Sequence, residues 1–342
     1  MSFDFTVDRN SPKWVLGADG YLKEYIADAP AIEFNADGSY KGVLVEPQST
    51  NDCLQSEDFS TTWFQNNSPT ITTNIATAPD GTVTAVGLQD TTGTTFKSVS
   101  QIFSVSANSQ ITASLFVKKE TAETNYGGIG FSFSGSTPKT AYFIFNSVNG
   151  TANISKTLTS ASVVVEDYGD YWRFCCTATD DGSNTFLTFN IYATLSNNGT
   201  TIGVGAGSVR TYWGAQVEQA SEPSSYIKTE GSIATRNADI IRLLNADQYT
   251  PNEGQVVLEW EQYESDTLHI GLVSGSVEPG VRKLKFIYTS TEQKLYIDDV
   301  LVDSITGNYD WSGMDKIELG NFNGTDQPTT HLRLFAINEN TV

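Results

Sequence analysis

The sequence predicts an all-β protein made of two antiparallel β-sandwich domains, and three observations favour this fold class. The 342 residues include 28 glycines and many aromatic residues (18 Phe, 15 Tyr, 6 Trp) but only 2 methionines, and aromatic side chains suit pleated, half-buried surfaces. Short apolar runs repeat with the period of two that is typical of strands. Turn dipeptides such as Asn149-Gly150 separate these runs, and no helical period persists for more than about two turns.

Residues 1–41 are predicted to be short β pieces joined by turns. The segments that end in Asp19-Gly20 and Asp37-Gly38 are typical of hairpins. So few apolar side chains cannot form a core of their own. We therefore expect this segment to dock on the following domain, or on a neighbouring subunit as an assembly segment.

Residues 42–235 are predicted to form the first large domain, a two-sheet sandwich of the jelly-roll type. Alternating apolar residues mark its strands, and turn dipeptides lie between them at the spacing typical of a sandwich. The alternating sets are Ile111, Ala113, Leu115 and Val117; Ile129, Phe131 and Phe133; Tyr142 and Ile144 with Phe143 and Phe145 opposite; Val163 and Val165; Phe186, Phe189 and Ile191; and Val209, Tyr212 and Val217.

Residues 236–250 read as a connector, in which the segment 240–244 is either an extended strand or one helical turn. Residues 251–342 contain a second run of strands and form the second predicted domain. About 90 residues is short for a sandwich. Its final strands are therefore either curtailed or completed by another segment such as residues 1–41.

Charge and cysteine content exclude several classes of protein. Asp and Glu number 40 against 20 Lys and Arg, so the net charge is −20, and this surface repels nucleic acid. Cys53, Cys175 and Cys176 do not make a disulfide framework and are predicted to be buried small apolar residues.

The start of the chain does not resemble a signal peptide, and no apolar run reaches the length of a membrane span. We expect neither membrane insertion nor secretion.

Catalytic side chains are sparse, and the sequence predicts a protein that is not an enzyme. The two histidines, His269 and His331, lie in different predicted strands. Glu259 and Glu261 share one strand face, but chance carboxylate pairs are plentiful in so acidic a chain. A polysaccharide lyase or a glycosidase, which needs paired carboxyls, remains the less favoured alternative.

Aromatic side chains near turns are the candidate sugar contacts, because flat rings stack on sugars while amides and carboxylates bind hydroxyls. Most rings in a sandwich of this size belong to the core. The carbohydrate-binding candidates are Trp63, Tyr126, Tyr192 and Trp311.

Loop carboxylates also offer oxygen ligands of the kind that calcium prefers. A structural calcium ion is therefore a possible cofactor, although no spacing selects one loop. The candidate ligands are Asp58, Asp80, Asp90 and Asp181.

Several ordered motifs lie between residues 46 and 236: Glu46-Pro47, Thr50-Asn51, Ser56-Glu57-Asp58-Phe59-Ser60, Trp63, Tyr171-Trp172-Arg173, Gly214-Ala215-Gln216-Val217-Glu218, Ser225-Tyr226-Ile227 and Thr235-Arg236. This series resembles a jelly-roll module that is similar to carbohydrate-binding modules and is common in tailed-bacteriophage structural proteins. They identify a scaffold and leave the ligand open. Jelly-roll binding modules also often carry a structural calcium ion.

The second domain resembles the concanavalin-A/laminin-G-like sandwich through Tyr296-Ile297-Asp298-Asp299 and Leu319-Gly320. Together the two resemblances imply a virion structural protein: an appendage, fibre, baseplate or capsid-decorating protein. They imply assembly in the host cytoplasm, other virion proteins as partners, a homo-oligomer and host-surface polysaccharide as a ligand. The alternative is a stand-alone carbohydrate-binding module.

Overall fold

The described residues form an all-β, antiparallel fold. The computed structural model describes residues 5–121, 126–197, 202–244, 253–262, 266–270, 273–277, 280–289, 291–308, 316–320 and 330–338, and none of these lies in a helix. The strands up to the connector are β1 (Phe5–Asp8), β2 (Lys13–Leu16), β3 (Leu22–Tyr25), β4 (Ile32–Phe34), β5 (Tyr40–Val45), β6 (Ser49–Asn51), β7 (Phe64–Asn66), β8 (Thr70–Ala76), β9 (Ala85–Gln89), β10 (Ser98–Ser104), β11 (Gln110–Lys118), β12 (Tyr126–Gly135), β13 (Lys139–Asn146), β14 (Thr151–Lys156), β15 (Ala161–Tyr168), β16 (Tyr171–Thr179), β17 (Asn184–Asn197), β18 (Ile202–Val204), β19 (Val209–Glu218) and β20 (Ala234–Arg236). The later strands are β21 (Ile240–Leu244), β22 (Glu253–Gln262), β23 (Asp266–Ile270), β24 (Val273–Val277), β25 (Gly280–Thr289), β26 (Glu292–Ile297), β27 (Val300–Thr306), β28 (Lys316–Gly320) and β29 (Thr330–Asn338).

The chain divides into two compact units. The middle unit comprises residues 19–23 and 49–235, and the terminal unit comprises residues 1–18, 24–48 and 236–342. These boundaries differ from the predicted ones. The prediction assigned residues 42–48 to the first large domain and residues 1–41 to a separate segment. The physical reason is strand pairing: β5 pairs with β4 and with β29, so residues 40–45 belong to the terminal unit.

Two large antiparallel sheets make up the middle unit, consistent with a sandwich. One sheet has the order β14-β13-β12-β17-β10-β7, with β18 paired to β17, and the other has the order β15-β16-β11-β19-β9-β8. Inward side chains of both sheets form one buried core, exemplified by Phe131 and Phe189 from the first sheet and Leu115, Phe174 and Val217 from the second. Burial of this apolar surface stabilises the unit.

The predicted alternation is confirmed on most strands and wrong at two positions. Ile129, Phe131 and Phe133 all lie in the core. Phe186, however, is 49% exposed, because it is an odd number of residues from Phe189 and therefore faces the other way.

Strand β19 shows why simple alternation fails. Val209 is 41% exposed, whereas Tyr212 and Val217 are both buried although five positions separate them. The β11–β19 register shifts at this point, and Gly214 has a φ of +64°. A bulge of this kind moves the following residues to the opposite face.

Most of the motifs that carry the first resemblance lie in the middle unit, whereas Glu46-Pro47 and Arg236 belong to the terminal unit. The amide nitrogen of Asn51 donates to the carbonyls of Ala215 (3.1 Å) and Ile227 (2.8 Å), and its Oδ1 accepts from the backbone N–H of Val217 (3.0 Å). Residues at the start and the end of this unit are thereby joined by a buried side chain. These motif residues therefore hold the scaffold together.

A second buried contact between the same stretches surrounds Tyr226. Its hydroxyl lies 2.7 Å from Ser56 Oγ and 3.0 Å from Glu57 Oε1, and its ring packs against Trp213 and Phe116. Burial raises the pKa of Tyr226 well above its usual range, and the nearby Glu57 carboxylate raises it further. The hydroxyl therefore stays protonated and serves as a fixed hydrogen-bonding group.

The terminal unit is also built from antiparallel strands. Its largest sheet has the order β27-β26-β25-β22-β29-β5-β4, and a second sheet has the order β1-β21-β28. Strands β1, β4 and β5 come from the start of the chain, so N-terminal residues complete sheets whose other strands lie within the predicted connector or after it. Residues 240–244 form the strand β21, which decides between the two conformations that the sequence left open.

Five charged side chains lie buried in the terminal unit, each at most 2% exposed. Asp239 contacts Arg9 and Lys13, both at 2.7 Å. Glu46 lies 2.8 Å from Lys13 and 3.6 Å from Arg236. We call this set the buried ion cluster. It joins the N-terminal segment, the end of β5 and the residues just before β21.

Candidate functional site

A groove lies beside β10, at the point where its neighbour β7 ends. Strand β7 pairs only with residues 98–100 of β10, whereas β10 continues to Ser104 and pairs with β17 on its other side. The groove has a volume of about 740 Å³. We call it the edge groove, and its lining residues are Asp52, Leu54, Thr62, Phe64, Asn66, Ser100, Gln101, Ile102, Phe103, Ser104, Thr188, Gln219 and Ile233.

Phe64 and Ile102 are the most exposed pair of large apolar side chains in the edge groove, at 70% and 68%, and Ile233 (56%) and Leu54 (39%) are exposed there too. The sequence neighbours of the first two, Trp63 and Phe103, are buried. The groove therefore presents a flat aromatic ring and aliphatic side chains to solvent.

The backbone around β7 has a left-handed conformation at both ends. Thr62 has a φ of 59°, and Asn67 and Ser68 have φ values of 55° and 56°. A β-branched residue such as threonine is unfavourable in this region, at a cost of about 1–3 kcal/mol. The left-handed residue Thr62 directly precedes Trp63, whose side chain is buried in the core, and Phe64, whose side chain is exposed to solvent.

Small polar side chains continue from the groove across the outward face of the sheet. The strand registers place Phe64, Ser100, Asn190, Gly130 and Tyr142 in one row across five strands. The amide of Asn66 donates to Ser98 Oγ (3.1 Å) and Ser100 Oγ (2.9 Å). This face combines hydroxyl and amide groups with a ring at each end of the row.

Gln101 is a buried amide with one unsatisfied end. It is 7% exposed, and its Oε1 accepts from the backbone N–H of Leu54 at 3.0 Å. Because the Leu54 N–H is a donor and needs an acceptor, this bond shows that the oxygen of the Gln101 amide, and not its nitrogen, lies next to Leu54. The Nε2 group then has no hydrogen-bond partner among the described residues.

Asp52 is the titratable side chain in the described lining of the groove. Burial raises its pKa, a hydrogen bond from Gln219 opposes this shift, and the negative charge of Glu218 adds to it. The described lining contains no lysine, arginine or histidine. The site therefore has a weakly negative electrostatic character.

The four predicted sugar contacts lie in different settings. Trp63 is 5% exposed, donates its Nε1–H to the carbonyl of Gln55 (2.9 Å) and packs against Phe59. A ring so deeply buried offers no face to a sugar. Trp311 lies outside the described residues.

Tyr126 and Tyr192 lie in a separate cluster on the outward face of the same sheet. Tyr126 is partly buried against Ile144, Tyr192 and Leu195. Tyr192 is 8% exposed, and burial raises its pKa. Neither residue lines the edge groove, so their proposed role as sugar contacts remains a prediction.

Trp63 immediately precedes β7, and Phe64 is the first residue of that strand. Adjacent residues of extended chain face opposite sides, so one of this pair is expected inside and the other outside. The alternation alone does not say which ring faces the core.

Three of the four predicted calcium ligands cap local turns: Asp58 accepts from Ser60, Asp80 from Thr82, and Asp90 from Thr92 and Gly93. The fourth, Asp181, accepts from the backbone N–H of Thr159, which is distant in sequence. Across the part of the chain that the structure describes, no three His, Cys, Asp or Glu side chains are grouped to hold a metal ion. The geometry therefore lends no support to calcium at these positions.

The cysteines are buried thiols, as predicted. Cys53, Cys175 and Cys176 are all unpaired and at most 1% exposed. Burial raises the pKa of each thiol well above its usual range. Cys53 and Cys176 belong to the apolar core, whereas the Sγ of Cys175 lies 3.8 Å from Glu166 Oε2.

No protein-family model matches this chain, and no curated protein sequence is significantly similar to it. Among the described residues there is also no helix of the length and apolarity that crossing a bilayer requires.

Proposed function

We propose that this chain is a non-enzymatic structural and adhesion protein of a tailed-phage virion. In this proposal it presents a jelly-roll-type sandwich, the middle unit, and a lectin-like sandwich, the terminal unit. Support comes from the antiparallel all-β architecture and from the ordered motifs between Glu46 and Arg236. Those motifs act as scaffold contacts, which suits a module whose role is architectural.

The edge groove carries the adhesion part of the proposal. An exposed aromatic ring beside hydroxyl and amide groups is the chemistry that binds sugars: the ring stacks on the apolar face of the sugar, and the polar groups bind its hydroxyls. Phe64, with 70% of its surface exposed, is the ring that meets this description.

The composition of the groove also favours binding over bond cleavage. Glycoside hydrolysis needs two carboxyl groups about 5–10 Å apart, whereas the described lining contributes one, Asp52. Nucleophilic catalysis needs an activated nucleophile beside a base. The described lining contains no histidine or cysteine.

The proposal has two experimental arms. If the chain is a virion protein, mass spectrometry of purified phage particles detects it in fixed stoichiometry with the major capsid protein, and antibody labelling in electron microscopy places it on the particle. Its absence from particles, together with glycan binding by the isolated chain, would instead favour the stand-alone carbohydrate-binding module.

The lyase or glycosidase alternative is tested by product release. The full chain is incubated with a broad panel of neutral and acidic polysaccharides, and reducing ends and unsaturated uronates are measured. We expect no turnover. Sustained product release by the purified chain would contradict the non-enzymatic proposal.

A further inference from the structure

We infer that the edge groove selects uncharged oligosaccharides, with Phe64 stacked on a sugar ring and the Gln101 amide donating to a sugar oxygen. This inference rests on the proposed adhesion function and specifies the ligand class of that same site. Three features of the groove carry it.

The first feature is the exposed apolar pair. Phe64 and Ile102 are each about two-thirds exposed or more, although both belong to strands of the same sheet. Exposed large apolar groups in a concave site mark a binding surface. The neighbouring polar groups, Ser100 and Asn66, already bind each other (2.9 Å) and so present a preorganised polar edge beside the ring.

The second feature is the unsatisfied amide. A buried polar group without a partner is rare and calls for an explanation. Gln101 is one of the lining residues of the groove, and its Oε1 is held by the hydrogen bond that it accepts from the Leu54 N–H. A ligand oxygen in the groove would supply the acceptor that Nε2 lacks, and sugar hydroxyl and carbonyl oxygens are such acceptors.

The third feature is charge. The described lining holds one carboxylate and no cation, in a chain whose net charge is −20. A uronate or sulfate group in this groove would meet repulsion from Asp52 with no cation to offset it. Neutral sugars avoid this cost.

An extended peptide is the competing occupant, because residues 101–104 of β10 extend beyond β7. Strand addition gains its affinity from backbone hydrogen bonds along the edge. Four residues provide only about two outward-facing positions for such bonds. The exposed ring and the mixed polar lining suit a sugar better than so short a strand edge.

The test uses the full chain and a glycan array of neutral glucans, galactans, mannans and N-acetylhexosamine oligomers beside matched uronate- and sulfate-bearing glycans. We expect binding within the neutral set. For the strongest neutral oligosaccharide, Phe64→Ala should weaken binding about tenfold, and Gln101→Met should weaken it by a similar factor, about tenfold.

One matched variant serves as a control, and a second variant tests the role of charge. Phe96→Ala removes a 37% exposed phenyl ring outside the groove lining, and it should leave the affinity within about twofold. Asp52→Asn should raise the binding of acidic glycans about threefold relative to that of neutral glycans, because it removes one nearby negative charge.

The outcomes separate this inference from the function on which it rests. If no glycan binds, the adhesion function itself fails. If glycans bind but Phe64→Ala leaves the affinity unchanged, the edge groove is the wrong site while adhesion stands. A preference for acidic glycans, or binding of unrelated peptides that neutral sugars do not displace, overturns the inferred ligand class.

Discussion

At the scale of the residue, the adjacent rings of Trp63 and Phe64 differ sharply in burial. The larger ring fills the core and bonds to the Gln55 carbonyl, and its neighbour stands exposed in the edge groove. Both rings have the chemistry to stack on a sugar, but burial assigns only one of them to solvent. Trp63, the ring that the sequence analysis chose as a sugar contact, is therefore the buried member of the pair.

Gly214 is the residue whose backbone the fold constrains most clearly. Its φ is +64°, and a Cβ there would lie 2.8 Å from Phe116 Cδ2. Gly214→Ala combines left-handed strain with overpacking, so it should lower the free energy of unfolding by about 3 kcal/mol in chemical denaturation. Gly207→Ala is the control, because Gly207 also has a positive φ but no atom lies within 4 Å of its added Cβ. It should cost only about 1 kcal/mol, and equal effects would contradict the packing argument.

Asp52 makes stability depend on pH with a predictable sign. Burial raises its folded pKa above the unfolded value of about 3.9. Between the two values the folded chain binds more protons, so the contribution of Asp52 to stability falls as pH rises and is constant above the folded pKa. Asp52→Asn removes the group whose ionisation lowers the stability of the folded chain at higher pH. Its stability relative to the native sequence should therefore increase from pH 4 to pH 7, as measured by urea unfolding at each pH.

Asp181 supplies the control of opposite sign. Hydrogen bonds from Thr159 lower its folded pKa, so its contribution to stability grows as pH rises through the unfolded pKa. Asp181→Asn should therefore lose stability relative to the native sequence as the pH rises from about 2 to about 5, the range around the unfolded pKa of about 3.9. Parallel pH curves for the two variants would contradict both assignments.

At the scale of the element, the short strands at the start of the chain owe their place to the buried ion cluster. Asp239 lies between Arg9 and Lys13, which flank the turn between β1 and β2. Asp239→Ala would leave two cations buried without this counter-ion, so it should lower the free energy of unfolding by about 3–5 kcal/mol. Denaturant titration of the full chain measures this loss.

Asp19 offers a matched carboxylate in an exposed pair with Lys23. Asp19→Ala should leave stability unchanged within error, because solvent-exposed pairs contribute little. An equally small effect of Asp239→Ala would show that the cluster does not hold these strands.

At the scale of the whole molecule, the two units differ in how the chain builds them. The core of the middle unit draws on residues between Cys53 and Val217, whereas the terminal unit needs strands from both ends of the chain. A fragment of residues 49–235 should therefore fold alone with a cooperative transition, followed by circular dichroism and tryptophan fluorescence.

The complementary fragment tests the terminal unit. Residues 236–342 alone lack β1, β4 and β5 as well as Arg9, Lys13 and Glu46, so we expect this fragment to stay unfolded. Co-expression with residues 1–48 should restore a folded complex. A folded, monomeric 236–342 fragment would favour the domain boundary predicted from the sequence.

Local pattern was enough to determine the all-β class, most strand positions and the burial of the cysteines, because period-two alternation and turn dipeptides are properties of neighbouring residues. The jelly-roll and lectin-like subclasses remain proposals that rest on motifs. Tertiary structure alone decided that β5 belongs with β29, that a bulge at Gly214 puts Tyr212 and Val217 on one face, and that Phe64 rather than Trp63 meets solvent. These features depend on contacts between residues far apart in sequence, and a local pattern carries no information about which distant strand supplies the partner.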